Sequence, residues 1–153
     1  MSVTVQTADF DVGAEIALLR HGDPKIGAVA AFIGLVRDIN DGSEVRSMTL
    51  EHYPGMTERA LEGIVTEAKR RFRVEHARLI HRVGELQPTD QIVLVITAGG
   101  HRGDAFAACE FIMDFLKTQA PLWKKEQTGE GTRWVEARGS DDQAAARWEP
   151  QQS

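Results

Sequence analysis

Gln91-Ile-Val-Leu-Val-Ile-Thr-Ala-Gly-Gly100 decides the fold, because an apolar strand here runs through a short polar loop straight into a helical pattern. The helix extends from Gly103 to about Gln119. Its polar positions Glu110, Asp114 and Lys117 form one narrow stripe at spacings of four and three, and Ala105, Phe106, Ala108, Cys109, Ile112, Met113, Phe115 and Leu116 are apolar. Such a helix is expected to be deeply packed. Upstream, HARLIHRVGEL reads as a partner strand joined through Gln87-Pro88-Thr89-Asp90. Further upstream, GAVAAFIGLV (27–36) is almost unbroken in its apolarity, which predicts a strand buried on both faces. It ends at Arg37. After the turn-rich DINDGS, VRSMTLEHY is expected to return antiparallel.

The remaining elements follow from period and punctuation. VTVQTADF alternates as an opening strand, and Asp9 or Asp11 can cap a helix over VGAEIALLR. Tyr53-Pro54-Gly55 starts the other long helix, with Pro54 suited to its first turn. There Met56, Ala60, Ile64, Ala68 and Phe72 recur every four residues beside Leu61 and Val65, giving an amphipathic helix of about five turns. Pro121 stops the Gly103–Gln119 helix. LWKKEQT and TRWVEA then form a last strand pair around Glu130-Gly131, and SDDQAAARW a short terminal helix capped by Ser140 or Asp141. The expectation is an α+β fold of mostly antiparallel strands packed by two long helices. It forms one domain over 1–153, with about 140–153 as a tail.

Composition narrows the function. An apolar fraction of 42% and a charged fraction of 27% are ordinary for a globular protein. No apolar run approaches the roughly 18 residues of a membrane span, and MSVTVQTADFDVG has no signal-peptide pattern. A net charge of −5 argues against nucleic acid as a partner. A single cysteine, Cys109, rules out an internal disulfide and agrees with a reducing cytoplasm. It lies among apolar neighbours on the helix, as an inert buried thiol would. His21, His76 and His81 show no metal-ligand spacing, and no metal or cofactor is expected.

Against this acidic background the cations gather in short clusters. His101-Arg102 opens a helix, where an arginine opposes the dipole and a bound anion would hold it; a solvent-facing arginine, or one paired with Asp104, fits the spacing equally well. TAGGHRGD matches no phosphate-loop pattern, and its Arg-Gly-Asp tripeptide has no adhesive meaning in a cytoplasmic protein. Lys117 closes the same helix. Lys124 and Lys125 point to opposite faces of an extended chain, so one of them faces inward, where its pKa could be lowered; a surface lysine pair accounts for the same residues. Arg37 follows directly on a strand end. His52 and Tyr53 could meet a ligand or complete a turn.

The same segments carry a family resemblance. LEHYPGM (50–56), IHRVGEL (80–86), the His101-Arg102 pair, FIMDFLKTQAPLWKKE (111–126) and RWVEAR (133–138) resemble, in order, the large subunit of molybdopterin synthase, the MoaE family. The resemblance implies an α/β-hammerhead fold and a homodimer within a heterotetramer. Each subunit would bind a small ubiquitin-like sulfur carrier that ends in a Gly-Gly thiocarboxylate. Sulfur would pass twice to cyclic pyranopterin monophosphate, forming a dithiolene. Lys117 and Lys124 match the family's catalytic lysines. Arg37, His101 and Arg102 match substrate-binding positions, with Lys125 and Glu126 in the same pocket segment and Phe32 and Met113 lining it. Some of these would serve the neighbouring subunit's pocket. Lys117 would act in acid–base catalysis or bond transiently to the carrier's terminal carbonyl, and either fits the motif. Gly99-Gly100 is richer in glycine than the family pattern, which implies a looser loop. Leu35 stands where some members have lysine. Two other functions are compatible with the residues alone: a non-catalytic docking module for a ubiquitin-like protein, and a phosphoester hydrolase built on His101 and Arg102.

Overall fold

A computed structural model of the chain describes residues 2–40, 43–129, 131–135 and 139–148, with backbone alone for 39, 40, 43, 133–135 and 139–141. The elements in chain order are β1 (Val3–Gln6), α1 (Val12–Arg20), β2 (Ala28–Leu35), β3 (Ile39–Asn40), β4 (Ser43–His52), α2 (Met56–Arg71) and β5 (Val74–Arg82). They continue with β6 (Gly84–Leu86), β7 (Gln91–Gly99), α3 (Arg102–Gln119), β8 (Leu122–Thr128), β9 (Gly131–Val135) and α4 (Gly139–Ala146). One sheet has the order β1-β5-β7-β2, with only the β1–β5 pair parallel. The other runs β3-β4-β8-β9, with β6 paired to β4. The fold is therefore α+β and rich in antiparallel pairs, as expected.

Two layers form on the first sheet. Ala77, Leu79, Val93 and Val95 face α2 and α3, joining Leu61, Ile64, Val65, Ala68, Ala105, Ile112 and Leu116 in the main core. On the other face Ile80, Leu94 and Ile96 pack under α1 through Phe10, Val12, Ile16 and Leu19. β7, buried over residues 92–99, is the centre of this sandwich, which is why its sequence is unbroken in apolarity. Asp11 caps α1, its carboxylate accepting from Ala14 N at 3.0 Å.

Several sequence expectations are corrected. β2 is an edge strand, not an interior one: Phe32 and Leu35 are 41% and 51% exposed. β4 does return antiparallel after the turn, as expected, and its partners are β3, β6 and β8 of the second sheet. HARLIHRVGEL is not one strand. It breaks at Gly84, whose φ of 91° glycine adopts without strain, and β6 leaves for the second sheet. Pro54 precedes the helix it was expected to join, since Gly55 is the N-cap. In α2 Met56 is exposed, and Thr57 is buried in its place. α3 is packed on one side only, with Phe106 66% exposed. The terminal helix begins at Gly139, and the capping side chains of Ser140 and Asp141 lie outside the described residues.

Candidate active site

α3 begins where β7 ends, and its 18 residues run about 27 Å back along the sheet. Its ends therefore lie at opposite edges of the domain, and the expected site residues divide between them.

At the C-terminal end stand Lys117, exposed, and the turn Ala120-Pro121 that leads into β8. Thr57, fully buried at the start of α2, donates from Oγ1 to Pro121 O at 2.8 Å and accepts from Tyr53 N at 2.9 Å. This clasp fixes the path from Lys117 to Lys124. In the β4–β8 register Lys124 stands opposite Leu50 and Leu122 opposite His52. His52, Leu50, Lys124 and Glu126 therefore share the inward face, and Trp123 and Lys125 the outward one. Lys124 is half-buried and Lys125 exposed, so Lys124 is the inward lysine that the alternation required. Glu126 is 0% exposed and lies beneath the surface of the site.

Between these cations lies His81. It is 3% exposed on the helix-facing side of β5, in a row with Val5 and Val93. Its ionisation is pushed down to about 4, first by burial and then by the charges of Lys124, Lys117 and His52, against a hydrogen bond to Arg82 O that favours the charged form. Groups from α3, β8 and β4 thus bear on one buried ring. His52 Nε2 lies 3.9 Å from Glu58 Oε1, and Glu58 Oε2 accepts from Gly55 N at 3.1 Å. Arg37 is at the same end, following Val36, whose N–H donates to Asp90 O at 3.0 Å just before β7. Met113 and Lys117 continue the side of α3 begun by Phe106, at steps of seven and four, and Phe32 faces the same side of the sheet as His81.

His101 and Arg102 are elsewhere. They sit at the N-terminal end of α3, separated from Arg37 by the length of β2, about 25 Å for its eight residues. Both side chains are exposed, and among the described residues neither makes an ion pair or a side-chain hydrogen bond, Asp104 included. The backbone beneath them is tight. Gly27 N donates to Gly99 O at 2.9 Å, and a Cβ on Gly99 would meet Arg73 O at 2.6 Å. A Cβ on Gly27 would meet Gly100 O at 2.5 Å. Gly99 therefore locks the approach to His101-Arg102, contrary to the looser loop expected of Gly99-Gly100. Thr97, buried in β7, adds a bond from Oγ1 to Ala105 O at 2.6 Å, pinning the first turn of α3.

Cys109 is buried and donates to Val95 O at 3.8 Å. Burial pushes its thiol up to about 11, helped by Glu110, so it is no nucleophile. Among the described residues no three His, Cys, Asp or Glu side chains converge as a metal site, and no helix is long and apolar enough to cross a membrane.

The family model described as "MoaE protein" matches residues 5–119, a span that includes Arg37, His81, His101, Arg102 and Lys117. The chain belongs to the MoaE family. It is 67% identical to the molybdopterin synthase catalytic subunit of Ralstonia nicotianae, over 96% of this chain and 84% of that protein. To the protein of that name in Pseudomonas aeruginosa it is 54% identical, over 97% and 99%. The solved structure of a molybdopterin biosynthesis MoaE protein from Burkholderia ambifaria, 58% identical, superposes with a TM-score of 0.83 over 96% of this chain and 97% of that one. Among MoaE residues, sequence reasoning singled out the lysines but passed over His81 and Thr57. The signal for His81 was present: it alternates with Ala77 and Leu79 on an apolar face.

Proposed function

We propose that this chain is the catalytic subunit of a molybdopterin synthase, passing sulfur from a carrier's C-terminal thiocarboxylate to cyclic pyranopterin monophosphate in the cytoplasm. The observation that carries the reading is the meeting of Lys117 and Lys124 around His81, at the end of the subunit that also holds Arg37. Both reactants are anions, and an acidic chain of net charge −5 concentrates cations at this end. The inert Cys109 fits a reaction whose sulfur arrives on another protein.

In this account Lys124 and Lys117 neutralise the carrier's terminus; as the thiocarboxylate sulfur bonds to a side-chain carbon of the pterin, that carbon's bond to oxygen breaks and Lys117 protonates the departing oxygen. Water then cleaves the resulting thioester at its acyl carbon–sulfur bond, releasing the carrier as a carboxylate and leaving the sulfur on the pterin, and a second thiocarboxylated carrier repeats the exchange to complete the dithiolene. Arg37 holds the substrate phosphate. His101 and Arg102 are too far from Arg37 to join it within one chain, so they serve the site of a second copy. The exposed apolar edge formed by Phe32 and Leu35 on β2 and Phe106 on α3 suits that contact. The assembly is a homodimer with one carrier on each subunit.

Reconstitution tests this reading. Purified protein, thiocarboxylated carrier and cyclic pyranopterin monophosphate should yield a pterin whose mass has gained two sulfurs. Carrier binding without sulfur incorporation would reduce the chain to a docking module. Hydrolysis of generic phosphoesters would instead point to a hydrolase.

A further inference from the structure

His52 and Glu58 lie at the lysine end and have no part in the chemistry described above. His52 is the last residue of β4, opposite Leu122, and shares the inward face with Lys124, its diagonal neighbour across the β4–β8 pair. The next residue, Tyr53, donates from its N–H to Thr57 Oγ1, which itself donates to Pro121 O. The imidazole is thus anchored to the Lys117–Lys124 path twice, through β8 and through the Thr57 clasp. Glu58 uses only half of its carboxylate for folding. Its Oε2 accepts from the N–H of Gly55, the N-cap of α2, at 3.1 Å. Its Oε1 is shielded from solvent, has no hydrogen-bond partner among the described residues and lies 3.9 Å from His52 Nε2. An ionised carboxylate can only accept, so it favours the imidazole proton on Nε2 and leaves the lone pair on Nδ1. The His52 side chain is 23% exposed, so water reaches the ring.

Resting on the function proposed above, we infer that His52 is the general base of the hydrolytic half of the reaction, with Glu58 as its positioning residue. The two halves make opposite demands. Sulfur transfer needs positive charge and an acid, which lysines supply; hydrolysis needs a base to take a proton from water, which a neutral imidazole backed by a carboxylate supplies. As the water oxygen bonds to the acyl carbon of the carrier–pterin thioester, His52 Nδ1 takes the water's proton. The carbon–sulfur bond then breaks, its electron pair leaves on the pterin sulfur, and the imidazolium passes the proton to that sulfur. The carrier's new carboxyl group ionises to solvent.

A single-turnover reaction, read by mass spectrometry of the intact carrier, separates the two halves. In His52→Gln the carrier–pterin conjugate should form at close to the wild-type rate and then persist, its hydrolysis slowed by roughly tenfold or more. Glu58→Gln keeps an oxygen for Gly55 N but loses the charge, and should slow the same step by about threefold to tenfold. Melting curves check that both variants fold. Conjugate that forms and disappears at wild-type rates in folded His52→Gln overturns the inference, because another group then supplies the base. Equal slowing of both halves also overturns it and reduces His52 to a packing residue. A carrier joined at its C-terminus to a small thiol as a thioester bypasses sulfur transfer altogether. Wild type should hydrolyse it, and His52→Gln should do so roughly tenfold more slowly. A wild-type protein that hydrolyses this thioester yet transfers no sulfur fails the proposed function and leaves His52 its role; one that leaves the thioester intact overturns the role of His52.

Discussion

The two ends of α3 carry cations by opposite means. At its C-terminus Lys117 sits where the helix dipole welcomes it, beside half-buried Lys124 and over buried His81 and Glu126. At its N-terminus Arg102 sits where the dipole opposes it, exposed and without an ion pair among the described residues. Rigid backbone supports both ends: Thr57 clasps Pro121 at one, and Gly27 and Gly99 interlock at the other. Among the described residues a buried histidine and a buried glutamate lie at the lysine end, and at the other end the buried polar side chain is Thr97, bonded to Ala105 O. In the function proposed above, the first end performs chemistry inside its own subunit, and the second presents an anion-binding pair outward for a neighbour to use.

The sharpest break in this comparison is Lys117→Ala. It should lower kcat by about 10²–10⁴ while carrier affinity, read by titration calorimetry, stays within about threefold. Full turnover in that variant would remove the lysine end from the chemistry.

The next effect is on stability against pH. His81 has a folded value of about 4, below its ordinary 6.5, so the unfolded chain binds the extra proton first. Its contribution is complete above about pH 6.5 and is lost as pH falls through 4, amounting to about 3 kcal/mol. Denaturant unfolding at pH 7 and pH 4.5 should show this slope in wild type and not in His81→Leu. Glu67, held down to about 2 by Arg70 and then Arg71, titrates lower and is common to both proteins.

Smaller effects distinguish the two supports. Gly99→Ala forces a Cβ against Arg73 O and should cost about 1–3 kcal/mol in unfolding free energy, with substrate KM rising and carrier binding unchanged. Thr57→Val leaves Pro121 O and Tyr53 N without their partner and should cost about 1–3 kcal/mol, lowering kcat through the lysine segment. If both variants changed the same kinetic constant, the division of labour between the ends would fail.

Much of this was legible in the sequence because period and punctuation are local. A cap at Asp9 or Asp11, one inward lysine of Lys124 and Lys125, the inert Cys109 and a last strand pair around Glu130-Gly131 all follow from the sequence; the structure selects Asp11 and Lys124 and pairs β8 with β9. The failures are matters of sheet order. An apolar run such as residues 27–36 looks interior whether its second face meets this chain or another molecule, so the edge position of β2 could not be read from it. The break at Gly84 and the crossing of β4 depend on which strand lies across the sheet. The separation of Arg37 from His101-Arg102 depends on β2 and β7 running antiparallel, which no motif records. His81 was visible only as a histidine on an apolar face, and what made it informative is that the fold sets Lys117, Lys124 and His52, from distant segments, to bear on it.

The central claim, that the two ends complete each other across a dimer, is tested most directly by mixing two inactive variants. Lys117→Ala and Arg102→Ala chains, denatured together and refolded with excess carrier, form mixed dimers in which one site carries both substitutions and the other carries none. The account predicts that sulfur transfer returns to about a quarter of the wild-type rate, from the half of the dimers that are mixed and the one intact site in each. No recovery above the separate variants, with mixed dimers verified by mass, would place Lys117 and Arg102 in the same site of one chain and contradict it.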